Sequence, residues 1–365
     1  MLKPDLGPSE HIRAGLEELG KSFTMEQVVL DFYANNRHKP VESAKATGPL
    51  WGRYSKWIGL FRDLKRLFVN HLSFFSWFSR LKRLQPDFIY ERSAYLNFNG
   101  LMIAKLLKIP HFYEANWVHY LGMRQFYSSH FSLFAKRLEE IAYNRSDHVF
   151  FVGSQDRYLR LAHLNWSVIQ NGVQNDIIQG NARHVNQFFA PVHVVMVANL
   201  MPHHRFDLLL DALPLLKHPE RLHFHFVGFR FKSALAVWPN HIAHTHHGPV
   251  VRDRLPELFK CFHAGLVTGD QEYGSYMKLF EYAAAKLVVV CPELDNLRRT
   301  FSDKEILFFK TNDPSDLAAK LDLLCCNPQI AGKGVELYKR VKNEFTWEAV
   351  FKPISSRIQA YLVAS

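Results

Sequence analysis

Four apolar runs in the second half of the chain limit its fold more than any other feature: VHVVMVANL (192–200), LHFHFVGF (222–229), HAGLVTG (263–269) and LVVVCPE (287–293). Each holds a continuous apolar stretch of about four to eight residues ended by Gly, Asn or Pro, as strands buried on both faces of a parallel sheet do. Parallel neighbours need crossover helices, and FDLLLDALPLL and LPELFKCF lie between the runs. The first half repeats the alternation with DFIYERS, HFYEAN and HVFFVGS as strands and LNFNGLMIAKLLKI and SLFAKRLEEIAYNRS as helices, before VIQNGV closes it in a turn. The pattern predicts an α/β protein. At roughly 100–200 residues per domain, 365 residues suit two such domains, joined through the polar stretch NDIIQGNARHVNQ at 175–187.

The composition excludes several classes. No stretch reaches the ~18 apolar residues of a membrane span, since LVVVC at 287–291 lies between Lys286 and Pro292. The start, MLKPDLGPSEH, has no apolar segment behind a basic one, so a cytoplasmic protein is expected. Cys261, Cys291, Cys325 and Cys326 show neither metal-ligand spacing nor a disulfide framework and read as reduced, mostly buried thiols. The formal charge of +11 calls for an anionic partner. Within the first half, the basic excess sits in the window 51–85, where eight basic residues accompany only Asp63. No nucleic-acid motif explains it.

The segment 269–293, GDQEYGSYMKLFEYAAAKLVVVCPE, carries the most chemistry. It reads as a loop with Glu272, Gly274 and Ser275, a helix from about Met277, and a buried strand. Leu279, Phe280, Ala283 and Ala284 form the packed face, and Lys278 and Glu281 lie three apart on another. A helix start with free N–H groups attracts anions; Lys278 adds a positive charge for phosphate, and Glu281 can accept sugar hydroxyls. From spacing alone, a solvated Lys–Glu pair is the alternative.

MKLFEYAAAKLVVV resembles the signature of the retaining GT-B glycosyltransferases of the GT4 family, in which a loop Glu precedes a K-L-F-E-Y helix and a V-V strand. The likeness continues in order: VIQNGVQ, FDLLLDAL, FHFVGF, HHGPV and FTWEAV resemble further family landmarks, while FIYERSAY, IPHFYEAN and the helix with LEE resemble its acceptor-side domain. The resemblance implies a GT-B fold of two Rossmann-like domains facing across a cleft. The acceptor-side domain would span 1–180, the nucleotide-sugar domain 181–345, and a closing helix, 346–365, would return to the first domain. It also implies transfer of a sugar with retention, from a nucleotide diphosphate sugar to a saccharide or lipid-linked saccharide acceptor, as in polysaccharide or glycoconjugate synthesis, with no cofactor and no catalytic metal. Glu281 then binds the ribose and Glu272 lies near the transferred sugar.

The sequence departs from the family at three places. Eight residues separate Glu272 from Glu281 where the family has seven, and Tyr273 holds the usual acidic position. The family's diphosphate clamp of Arg and Lys reads Asn199 and His204 here, with Arg205, or a protonated His203 or His204 beside Lys278, as substitutes; alternatively, MPHHR is an ordinary turn. Before LGPSEHIRAGLEELGK, where Gly7 lets backbone approach the donor phosphate or the acceptor and Ser9 or Glu10 caps a helix, the opening strand is missing; either the first sheet lacks an internal strand or translation begins upstream, and the second is expected because an unfilled position leaves neighbouring backbone unpaired. In the first domain, Glu114 or His119 can orient the acceptor hydroxyl or act as its base, or His119 is simply packed beside Trp117 and Tyr120. Glu91 and Arg92 read as a structural ion pair.

The window 51–85 places Trp51, Trp57, Phe61, Phe68, Phe74, Phe75, Trp77 and Phe78 among its basic residues, the mixture of an interfacial helix. A peripheral position on an anionic inner membrane face is one reading. The other is a helix packed on the first sheet with Leu81 and Leu84 buried. A catalytically silent GT-B subunit and a GT-B sugar-nucleotide epimerase remain as alternatives to the transferase.

Overall fold

The alternation of buried strands and amphipathic helices resolves into two all-parallel sheets. The computed structural model describes residues 7–25, 49–127, 129–162, 165–180 and 191–364, which form two compact units. One takes in Gln27–Ile169 and Ser356–Ser365, the other Lys3–Glu26 and Gln170–Ser355. The first described helix, α1 (Gly7–Gly20), belongs to the second unit. The expected missing strand before it lies outside the described residues, as do 181–187 of the expected connection, whose first part forms a helix.

In the first unit, α2 (Pro49–Leu84), α3 (Asn99–Leu107), α4 (His119–Tyr127) and α5 (Ser132–Arg145) surround β1 (Ile89–Arg92), β2 (His111–Ala115), β3 (His148–Val152) and β4 (Trp166–Ile169), in sheet order β1-β2-β3-β4. The apolar runs fall where expected, and VI of VIQNGV forms the end of β4. Tyr113, Ala115, Val149 and Phe151 pack with Tyr143 of α5 and Leu101 of α3. Glu91 and Arg92 do not pair, because successive strand residues face opposite ways. Glu91 instead receives the backbone N–H groups of Gly100 and Leu101 at the start of α3, while Arg92 meets Glu114 at 3.3 Å.

The long helix α2 confirms a helix in the basic window and corrects its packing. Asn70 donates to Leu96 O at 2.7 Å, and Asp63 is fully buried with Ser129 donating to it at 2.6 Å. On another face Phe61, Leu64, Phe68, Leu72 and Phe75 lie exposed at helical spacing. Leu84 is exposed rather than buried. The side chains of Trp51 and Trp57 lie outside those described. Among the described residues no helix is long and apolar enough to cross a membrane.

The second unit adds α6 (Asn175–Gly180), α7 (Phe206–Ala212), α8 (Phe231–Ala234), α9 (Leu255–Phe259), α10 (Met277–Ala284), α11 (Asp295–Thr300), α12 (Pro314–Cys326), α13 (Ala331–Glu344) and the first half of α14 (Trp347–Ala364). Its strands are β5 (Val192–Val197), β6 (Leu222–Val227), β7 (Ala243–Gly248), β8 (Ala264–Leu266), β9 (Val288–Pro292) and β10 (Leu307–Phe309), ordered β10-β9-β8-β5-β6-β7. The chain therefore winds one way from β5 and the other way from β8, which makes the β5/β8 junction a topological switch point. Ligands of open α/β sheets bind outside the carboxyl ends of the strands at such a point. Two motifs distant in sequence meet in this unit. Val173 N–H donates to Phe345 O and Trp347 N–H to Val173 O, and a Cβ on Gly172 would stand 2.8 Å from the Trp347 ring. Of the thiols, Cys291 and Cys325 are buried, but Cys261 and Cys326 are exposed, so burial holds for only two.

Candidate donor site in the second unit

The helix α10 brings the signature residues to the switch point. Leu279, Phe280, Ala283 and Ala284 are buried as their spacing predicts. Tyr282 is buried too, and its hydroxyl accepts the N–H of Val197 at the end of β5 at 2.8 Å. Gly265 is required below it, since a Cβ there would lie 2.3 Å from the ring. The N-cap residue, Tyr276, provides no side-chain cap to the start of α10, though its carbonyl accepts the Leu279 N–H at 3.0 Å.

Glu281 is not a solvated partner of Lys278. It is buried and bonded to the guanidinium of Arg252. Burial raises its pKa, against the charges of Arg252 and Lys278, which lower it. Arg252 also acts on Glu10 of α1, which is buried and accepts from Arg13 at 2.8 Å and Gln174 at 2.6 Å. Burial raises Glu10, but these bonds and the charge of Arg252 outweigh it, leaving the carboxyl below its ordinary value. Lys278 is pushed down to about 8 by desolvation, with Glu281 acting in the opposite direction. Sequence reasoning found Glu281 and Lys278 but missed Arg252, which stands two residues beyond the HHGPV landmark, and the carboxylate role of Glu10.

The turn after β5 packs on the loop after β8. Thr268 Oγ1 donates to His204 O at 2.5 Å, and a Cβ on Gly269 would crowd Tyr276 and His203 O. This brings His204, Arg205 and the Glu272 loop together beside Lys278. The expectation of a protonated histidine here fails. Burial, then the charge of Lys278, pushes His204 down to about 2 and lowers His203 as well. His204 Nδ1 instead accepts the N–H of Met201 at 3.0 Å. Arg205 is held by its own acids, Asp207 at 2.9 Å and Asp270 at 3.4 Å. Asn199 is exposed beyond β5, where Gly228 is indispensable, because a Cβ would meet Ala198 O at 2.0 Å and its φ is +126°. A cleft of about 430 Å³ opens there, lined by Met201, Phe206, Asp207 and Arg230 among others; neither Glu281 nor Lys278 lines it.

Within the loop, Glu272 Oε2 accepts the N–H of Asp295 at 2.8 Å, capping α11. Gly274 N–H closes a turn on Gln271 O at 2.8 Å. Ser275 Oγ accepts the Asn171 N–H at 2.8 Å, and Asn171 Oδ1 meets His11 Nδ1 at 2.8 Å. Gly7 is the first residue of α1.

The acceptor-side candidates lie in the first unit. Glu114 is buried, accepting from Tyr90 Oη at 2.7 Å beside Arg92. His119, at the start of α4, meets Ser93 Oγ through Nε2 at 3.0 Å, and desolvation pushes it down to about 4. Glu139 of α5, not singled out from sequence, accepts Tyr120 N–H at 2.8 Å, and burial pushes it up to about 8.

Residues 205–355 match the family described as glycosyl transferase-like. No curated protein sequence is significantly similar to the chain. Among solved structures, a glycosyltransferase from Rickettsia africae ESF-5 superposes with a TM-score of 0.64 at 14% identity, covering 81% of this chain and 82% of that one. Anabaena Alr3699/HepE in complex with UDP gives 0.61 at 15%, covering 78% and 82%. The lipopolysaccharide outer core galactosyltransferase WaaB gives 0.60 at 16%, covering 80% of each. At these identities the likeness speaks for the fold, and the family match speaks for the segment that holds Arg205, Arg252, Lys278 and Glu281. The chain thus has the GT-B fold, and its residues 205–355 are similar to the glycosyl transferase-like family.

Proposed function

We propose that this protein transfers a sugar, with retention, from a nucleotide diphosphate sugar to a saccharide or lipid-linked saccharide acceptor, in synthesis of a cell-surface polysaccharide or glycoconjugate. The observation that carries the reading is the placement of Glu281 and Lys278 on one helix beside the β5/β8 switch point. In this reading Glu281 accepts ribose hydroxyls, and Lys278 with the start of α10 meets the diphosphate. Transfer breaks the bond between the anomeric carbon and the diphosphate oxygen and forms one to an acceptor oxygen, whose proton passes to the departing diphosphate or to solvent. The charge left on the diphosphate is met by Lys278 and backbone N–H groups, a scheme that asks for no metal. HepE was solved with UDP and with UDP-glucose, which supports a nucleotide-sugar donor. Retention rests on the GT4 resemblance, as does the assignment of Glu114 and His119 to the acceptor.

The exposed stripe Phe61, Leu64, Phe68, Leu72 and Phe75 of α2 supports a peripheral position on an anionic membrane surface, where the acceptor would be met. A silent donor-binding subunit is the second reading. It is favoured by Glu272, whose carboxylate caps α11, and by Arg205, neutralised by Asp207 and Asp270. A panel of nucleotide sugars separates the two. The donor raises the melting temperature by mass action in either case, but only the transferase releases nucleoside diphosphate from it on prolonged incubation. If no nucleotide sugar stabilises the protein, both readings fail.

A further inference from the structure

A cluster of histidines lies on the second-unit sheet, toward the amino ends of β5 and β6 and so away from the carboxyl ends where Glu281 and Lys278 stand. His193 and His223 are direct cross-strand partners, and His225 follows two residues along β6 on the same face. One nitrogen from each of these three rings falls within 4.8 Å of the other two. We propose that His193, His223 and His225 bind a divalent transition-metal ion such as Zn²⁺, serving as a structural clip across β5 and β6.

The geometry suits that chemistry. Zn–N bonds are about 2.0–2.1 Å, which sets the nitrogens of a tetrahedral site roughly 3.3 Å apart; small ring rotations suffice. Imidazole ligands select ions such as Zn²⁺, Cu²⁺ and Ni²⁺. The surroundings supply the orienting bonds that metal-bound histidines usually make. His225 Nδ1 meets His247 Nε2 at 3.0 Å, and His223 Nε2 meets Thr245 Oγ1 at 2.9 Å. His247 lies where the β6–β7 register shifts, between the partners of Phe226 and Val227. His263 Nδ1 accepts the His193 N–H at 3.0 Å, and the two rings stack at 5.5 Å. His193 and His223 are half-buried, so an ion has a way in, while His225 is buried. The competing account is a chain of imidazole hydrogen bonds, in which His193 Nδ1 meets His225 Nε2 at 2.8 Å and His225 meets His247. A metal would replace the first bond and keep the second.

Calorimetric titration of the chelator-stripped full chain with Zn²⁺ tests this, with Co²⁺ as an optical probe of coordination. One ion per chain is expected, with a rise in melting temperature. His225→Asn and His223→Gln should each weaken Zn²⁺ at least tenfold, and His247→Ala about tenfold through lost orientation. His223 is half-buried, so its variant keeps the test alive if His225→Asn misfolds, which circular dichroism of the metal-free protein reveals. His244→Ala/His246→Ala, on the opposite face, should bind Zn²⁺ as the parent does. Absence of stoichiometric binding, or equal affinity in the parent and His223→Gln, overturns the proposal.

Discussion

Replacing Arg252 with alanine should destabilise the second unit by about 3–5 kcal/mol at pH 8, the usual cost of stripping one partner from a buried ion pair, and by far less at pH 5. The side chains of Arg252 and Glu281 are only 16% and 10% exposed, so water cannot take the place of the guanidinium. The sign follows from Glu281. Its folded pKa is already raised above the ordinary 4.5 by burial, with Arg252 pulling it down. A raised carboxyl adds stability fully below its unfolded pKa and loses it as pH rises through the folded one. Removing Arg252 raises the folded value further and widens that window upward, so the loss is small at low pH and grows as pH rises and the buried carboxyl must ionise without the guanidinium. Glu10 loses the same favourable charge, which deepens the loss at high pH. With each kcal/mol moving the melting temperature of a unit this size by about 2–4 °C, a drop of roughly 6–20 °C is expected at pH 8. Thermal unfolding followed by circular dichroism at the two pH values measures it. An equal loss at both would refute the electrostatic argument and leave Arg252 as packing alone.

Lys278 is pushed down to about 8, so nucleoside diphosphate affinity should fall as pH rises through that value, and Lys278→Gln should remove the step in a calorimetric pH series. Glu272→Ala should cost about 0.5–2 kcal/mol in urea unfolding, as loss of a helix cap does; unchanged stability would mean the bond to Asp295 contributes nothing. Triple replacement of Phe61, Phe68 and Phe75 by serine should abolish co-sedimentation with anionic liposomes while leaving the melting temperature within a few degrees, since these rings are more than half exposed. Equal recovery of parent and variant would separate α2 from any membrane role.

The sheets were readable because a strand buried on both faces leaves an unbroken apolar run, and α10 because its packed residues recur at helical spacing. Glu281 and Lys278 were legible for the same reason: the helix fixes which face they share. Their environment was not. Arg252 and Glu10 reach Glu281 from a turn after β7 and from α1, and no local pattern links carboxylates and guanidinium groups so far apart in sequence. His204 looked able to carry charge until its burial beside Lys278 was known. Spacing made Glu91 and Arg92 a pair, whereas strand alternation sends one to the start of α3 and the other to Glu114. The histidines left a faint trace in LHFHF and THH, alternating on neighbouring strands, but only the register of β5 on β6 brings His193 to His223.

Glu281 is the residue on which the donor site stands or falls. Two hydroxyls accepted by an ionised carboxylate contribute about 1.5–3 kcal/mol each, so Glu281→Ala should weaken binding of the nucleotide sugar that most raises the melting temperature by at least tenfold. Glu10 remains to offset part of the charge of Arg252, so the variant should still fold, though less stably than the parent. Isothermal calorimetry of parent and variant, with far-ultraviolet circular dichroism confirming the fold, is the direct measurement. A tenfold or greater loss of affinity in a folded variant is the predicted result, and unchanged affinity would contradict the placement of the donor at α10.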